Sequence, residues 1–268
     1  MPTIPLYHVD AFTSVVFGGN PAAICPLDAW LQDELLHQIA AENSLSETAF
    51  FVRSPDGDGR YHLRWFTPTT EVDLCGHATL ATAFVLRERL GDDSQPFRFA
   101  TRSGELLVTT SAEGYTLDFP SRPAERAAPM ATLAFALGAE PDEVWKARDH
   151  LCVFNYESEV RTLVPDMVRL QAVAPHGVVV TAPADPAQSP GADFVSRFFA
   201  PAIGVPEDPV TGSTHCTLAP FWAERLGRTV LHARQVSARG GEMRCELRGD
   251  RVLLTGQAVC YLEGTIRF

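Results

Sequence analysis

A chain of 268 residues is long enough for one large domain or for two of ~130 residues each. With 46% hydrophobic and 21% charged residues it has the composition of a folded globular protein, which excludes disorder, collagen and a coiled coil as its main description. Its net charge of −11, with no basic cluster, argues against nucleic acid and anionic membrane surfaces as partners, and no apolar run reaches the ~18–20 residues of a bilayer span.

In chain order, the start Met1-Pro2-Thr3-Ile4-Pro5 lacks the basic and apolar segments of a secretory leader. Residues 31–41 predict an amphipathic helix, and 48–52 and 61–66 predict strands around a turn at 55–59. Residues 78–86 contain no charge, and a helix that is apolar all round must be buried all round. Strands follow at 105–110 and 115–119, then prolines 120, 123 and 129 interrupt the pattern. A short helix is expected at 130–137 and strands at 177–181 and 194–199. A second uncharged helix covers 216–223, with Pro220 expected to kink it. Strands at 243–247, 252–254 and 258–268 complete the chain. Gly91 and Gly227 are placed to cap the two apolar helices.

The chain also repeats itself. Arg64-Trp65-Phe66-Thr67-Pro68 resembles Arg197-Phe198-Phe199-Ala200-Pro201, an offset of 133 (197 − 64). Gly76-His77-Ala78-Thr79-Leu80, running to Glu88-Arg89-Leu90-Gly91, matches Gly212-Ser213-Thr214-His215-Cys216, running to Glu224-Arg225-Leu226-Gly227, an offset of 136 (212 − 76). Such matches predict a duplicated lobe. Three residues are added in the second copy ahead of its helix, and Asp208 is expected to lie on that insertion. The predicted fold class is α+β: two pseudo-symmetric lobes, each a curved, mostly antiparallel, barrel-like sheet wrapped around a buried central helix. The lobes are assigned to residues 1–119 and 120–268, with the last strand packing back on the first. Ligand sites favour lobe interfaces.

Candidate chemistry gathers at the starts of the repeated helices. Helix N-termini collect unpaired N–H groups and a partial positive charge, so Gly76 and Gly212 together suggest a carboxylate site. Ser213 reads either as part of it or as a plain helix cap. Glu47, at the threshold of an apolar strand, is a candidate general acid/base, because partial desolvation raises a carboxyl pKa. His77 is either a proton carrier or a histidine bonded to backbone. Asp208 is either an amine ligand or the first residue of an Asp-Pro turn. The six cysteines (25, 75, 152, 216, 245 and 260) form no C-x-x-C pair and have no histidine at zinc-finger spacing. They read as reduced thiols of a cytoplasmic protein, and no metal site is expected.

Four motifs in order, Asn20-Pro21-Ala22, Leu45-Ser46-Glu47-Thr48-Ala49-Phe50, Gly76-His77-Ala78-Thr79 and Glu207-Asp208-Pro209-Val210-Thr211-Gly212-Ser213, resemble the phenazine-biosynthesis-like (PhzF-like) family of the diaminopimelate-epimerase fold. The resemblance implies an isomerase that needs no cofactor, acting between its lobes on a small anionic metabolite, and a homodimer. It makes Glu47 the general acid/base. It gives His77, Asp208 and Ser213 the substrate's carboxylate and amine and a share in proton relay, with backbone at Gly76 and Gly212 completing the pocket. Related epimerases use two cysteines as opposed bases. Cys75-Gly76 looks like one such position, whereas Val210-Thr211-Gly212 offers no thiol at the other, so Cys75 is expected to be at most an auxiliary acid. The alternative is a non-catalytic metabolite-binding protein on the same fold, and a weaker one is a racemase pairing Cys75 with a non-thiol base.

Overall fold

In the computed structural model, which describes all 268 residues, the chain divides into two compact units. The first comprises Met1–Asp118 and Thr255–Phe268, and the second Phe119–Leu254. The opening elements are β1 (Thr3–Ala11), β2 (Asn20–Leu27), α1 (Asp33–Asn43), β3 (Glu47–Arg53), β4 (Arg60–Phe66) and β5 (Glu71–Val72). They are followed by α2 (Gly76–Glu88), β6 (Phe97–Thr101), β7 (Gly104–Ser111) and β8 (Gly114–Pro120). Next come β9 (Glu125–Ala127), α3 (Ala131–Leu137), β10 (Glu143–Lys146), β11 (His150–Val153), α4 (Glu157–Thr162) and α5 (Met167–Val173). The remainder is β12 (Val178–Pro183), β13 (Phe194–Ala200), β14 (Val205–Asp208), α6 (Gly212–Leu226), β15 (Val230–Gln235), β16 (Gly241–Arg248), β17 (Arg251–Gly256) and β18 (Ala258–Arg267). No helix is long and apolar enough to cross a membrane.

The strand pairing repeats. In the first unit β1–β2 is antiparallel, β2–β3 parallel, β3–β4 antiparallel, β4–β6 parallel and β6–β7 antiparallel. In the second, β10–β11, β11–β12, β12–β13, β13–β15 and β15–β16 follow the same order of senses. A parallel pair needs a crossover connection. Here α1 and α2 supply it in the first unit, and the pair α4/α5 and then α6 in the second. The last strand, β18, pairs antiparallel with β1 and so belongs to the first unit.

Each central helix is buried on every side. His77 to Leu86 of α2 are all buried, and α6 is buried from Thr214 to Ala219 and from Phe221 to Ala223. Their buried hydroxyls bond back into the helix: Thr79 Oγ1 donates to the Cys75 carbonyl at 2.6 Å and Thr82 Oγ1 to the Ala78 carbonyl at 2.7 Å. The sheets also use their outer faces. Leu36 and Ile39 of α1 pack with Cys25, Phe50 and Phe66, and Leu133, Leu137 and Leu170 of α3 and α5 pack with Phe154, Val180 and Phe199. Double-sided burial explains why β2 and β12 read as continuous apolar runs and not as alternating ones.

α6 runs through Pro220; the Cys216 carbonyl, which an N–H at position 220 would have reached, accepts instead from the Arg122 N–H at 2.9 Å. Two local expectations need correction. Gly227 is the left-handed cap of α6, but α2 is capped by Arg89 in the right-handed region. Gly91 lies two residues further on, where its φ of +67° lets the Asp92 N–H reach the Leu86 carbonyl at 2.9 Å. Asp208 is not on the insertion. Arg64 grips Glu71 with two hydrogen bonds of 2.8 Å, and Arg197 grips Glu207 with bonds of 2.8 and 2.9 Å. Glu207 is therefore the counterpart of Glu71 and Asp208 that of Val72. The extra length falls earlier, at the short 3-10 helix Pro201–Ile203.

Candidate active site

In the first unit Glu47 opens β3, directly after α1 ends in Ser44 with φ +51°. A strand and not a helix follows it, so Glu47 caps nothing. Opposite stands the start of α2. Cys75 is its N-cap residue, with an extended backbone and no side-chain cap, and His77 lies in the first turn. His77 Nε2 is 3.2 Å from Glu47 Oε2, and His77 Nδ1 is 3.5 Å from Cys75 Sγ. One imidazole thus faces a carboxylate with one nitrogen and a thiol with the other.

Electrostatics keeps that imidazole neutral. Burial pushes the pKa of His77 down to about 3, against the pull of a hydrogen bond to the Pro21 carbonyl. A neutral ring carries one N–H and one lone pair, so it can pass a proton between its neighbours without holding a net charge. The Pro21 contact gives the Asn20-Pro21-Ala22 stretch a physical role. Residues of β2 lie behind α2, and the backbone carbonyl there orients the histidine. That role was invisible in the sequence, because a carbonyl leaves no side-chain signal.

In the second unit Asp208 closes β14, and α6 begins at Gly212. Thr211, not Ser213, is the N-cap residue, again without a side-chain cap. Its hydroxyl donates to Asp208 Oδ2 at 2.5 Å. Gln235, at the end of β15 and 1% exposed, fastens the segment. Its Nε2 donates to the Asp208 carbonyl at 2.7 Å and to Thr211 Oγ1 at 3.1 Å, while its Oε1 accepts from the Thr211 N–H at 2.9 Å. His215 Nδ1 donates to the Thr211 carbonyl at 2.7 Å, as Thr79 does to Cys75 in the first unit. The sequence gives Gln235 no role toward Asp208; its place at the end of a strand paired parallel with β13 brings it there.

Among the thiols, Cys25 and Cys245 are driven far above the usual range by burial, Cys152 is pushed up to about 12 and Cys216 to about 11. These four are packing residues. Cys75 is the thiol next to a histidine. Although the sequence spacing showed no metal-ligand cluster, the fold brings the donor atoms of Glu47, Cys75 and His77 within 4.8 Å of one another.

The phenazine biosynthesis-like family model matches residues 9–264. The chain belongs to that family. A Pseudomonas aeruginosa protein named as an uncharacterized isomerase is 52% identical over 263 residues, covering 98% of both chains. The crystal structure of a family member from Enterococcus faecalis is 44% identical, covers 100% of both chains and superposes with a TM-score of 0.95. A hydroxyproline epimerase from Agrobacterium vitis, solved with bound trans-4-hydroxy-L-proline, shares 13% identity and a TM-score of 0.63, over 99% of this chain and 91% of its own. That likeness carries the fold alone: the α+β architecture of the diaminopimelate and proline epimerases, with helices inside curved sheets. The E. faecalis family member shares the doubled sheet-and-helix plan described above.

Proposed function

We propose that the protein is a cofactor-independent isomerase or epimerase that moves a proton at a carbon of a small amino or carboxylic acid, with Glu47 as general acid/base. The observation that carries this reading is the contact of Glu47 with a buried, neutral His77 at 3.2 Å. A carboxylate beside a neutral imidazole in a place poor in water can take a proton from a C–H bond and return it to another face or atom. His77 holds the carboxyl group in position and can hand it a proton. Cys75, on the far side of the ring, serves as an auxiliary acid that refills His77 Nδ1. A two-thiol racemase is disfavoured, because Thr211 occupies the place a second cysteine would need.

Substrate is held by the remaining groups. Each central helix starts without a side-chain cap, and the first N–H groups of such a start, around Gly76 and around Gly212 and Ser213, suit a carboxylate. Asp208 takes the amine. Supporting the reaction class, the P. aeruginosa relative bears the name of an isomerase.

Incubating a panel of small amino and carboxylic acids with the protein in D2O, and following exchange by NMR, tests this. Glu47→Gln is expected to slow solvent exchange by about 10²–10⁴-fold with the fold retained. Equal exchange by the variant would remove Glu47 from the reaction. Cys75→Ser is expected to slow exchange without abolishing it.

A further inference from the structure

The cluster that handles protons in this reading has the donor chemistry of a metal site. We propose that Glu47, Cys75 and His77 bind a borderline-soft divalent cation, Zn²⁺ being the best match, and that this ion inhibits the protein by occupying the atoms that would otherwise exchange protons. Binding stands on geometry alone; the inhibition rests on the proposed role of Glu47.

Two observations lead there. First, a carboxylate, a thiol and an imidazole converge, all within 4.8 Å of one another. Thiolate and imidazole select Zn²⁺ and its neighbours over Mg²⁺ or Ca²⁺, which take oxygen ligands. Second, His77 Nε2 is buried without a hydrogen bond, although it lies 3.2 Å from Glu47 Oε2. An ion bound at this point gives the buried nitrogen a partner.

The size of the cluster is nearly right. Tetrahedral zinc with bonds of about 2.0 Å to N and O and about 2.3 Å to S places its ligands roughly 3.5 Å apart. The Glu47–His77 separation of 3.2 Å already meets that, so Cys75 Sγ, which faces the other ring nitrogen at 3.5 Å, has the larger movement to make. Three protein ligands leave one position open for water or for a substrate carboxylate. On binding, the Cys75 S–H bond breaks, its proton goes to solvent and its sulfur electron pair forms the Zn–S bond. The thiolate and the Glu47 carboxylate then neutralise both charges of the ion, which makes burial tolerable.

The test uses the whole chain, reduced and stripped with chelator. Zn²⁺ at about a hundredfold excess over its Kd is expected to raise Tm by roughly 5 °C, while Mg²⁺ does nothing. Co²⁺ should give a thiolate charge-transfer band, and the affinity should rise about tenfold per pH unit because one proton is released. Cys75→Ser and His77→Asn are each expected to lose the band. Should a variant unfold, protection of Cys75 from alkylation by Zn²⁺, reversed by chelator and read by mass spectrometry, decides the matter in the unmodified chain. No stabilisation by Zn²⁺, an equal response to Mg²⁺, a cobalt band that survives in the variants or unprotected Cys75 would each overturn the site. Zn²⁺ bound with D2O exchange undiminished would overturn the inhibition and count against Glu47, whereas Glu47-dependent exchange without Zn²⁺ binding would leave the isomerase reading intact.

Discussion

Two small side-chain groups carry the candidate chemistry, and they are built differently. Around His77 the contacts are few, at 3.2 and 3.5 Å, and the side chains are the reactive ones. Around Asp208 they are short and redundant, with Thr211 bonded to the carboxylate and Gln235 to its backbone. That contrast suits a proton carrier on one hand and a rigid ligand clamp on the other. On the proposed reading, Gln235 positions Asp208. Gln235→Ala leaves the buried Thr211 N–H without its acceptor, a loss of about 1–3 kcal/mol. Its expected signature on any compound that exchanges is a raised KM with kcat largely kept. If kcat fell while KM held, Gln235 would be acting on the chemistry and not on Asp208's placement.

At the scale of elements, the design is a helix that has no solvent face. Neither α2 nor α6 can be stable alone, because both are apolar all round and depend on the enclosing sheet. Leu80 and Leu218, each 0% exposed though not at matching repeat positions, therefore probe the two units in the same way. Leu80→Ala and Leu218→Ala are each expected to cost about 2–5 kcal/mol in urea unfolding. A cost under about 1 kcal/mol for either would mean that its sheet collapses onto the vacated space. The sequence showed these helices clearly, since nine uncharged residues at 78–86 have few other readings. The strands β1, β2, β5, β6, β9, β10, β11, β14 and β15 were not foreseen. Most are short and are defined more by their neighbours than by their own alternation, whereas β1 and β2 are long, and β2 is buried on both faces and so does not alternate. Helices α4 and α5 were missed for a related reason: Leu170 is the only fully buried side chain of α5, too little apolar periodicity to read.

Across the molecule, buried histidines set a pH limit. His77 is pushed down to about 3 and His215 to about 4 by burial, and His150 moves the same way. In the unfolded chain these rings titrate near 6.5. The unfolded state thus binds more protons below that pH. The stability they confer is complete above pH 6.5 and is lost as pH falls toward the folded values, by up to about 1.4 kcal/mol per pH unit for each ring. The depressed carboxylates, Glu143 beside Arg225 and Glu246 beside Arg248, start from 4.5, so they contribute only at lower pH. Between pH 6.5 and about 4.5 the slope belongs to histidine. Calorimetric Tm is expected to fall across that window, and less steeply in His215→Gln. An unchanged slope would show that His215 does not stay neutral in the folded protein.

By itself the sequence determined that two related segments stand about half a chain apart, that each leads into an uncharged helix, and which residue types stand at those helix starts. Local pattern suffices for that, because burial on every side forbids charge whatever the partner. Tertiary structure alone decided the rest. Glu47 is thirty residues from His77, and Gln235 twenty-seven from Asp208, so no spacing rule links them. Parallel strand pairing brings them into contact, and the removal of water around them sets the charge of His77. The same enclosure that makes the helix apolar makes its first-turn histidine neutral, and only the folded chain supplies that enclosure.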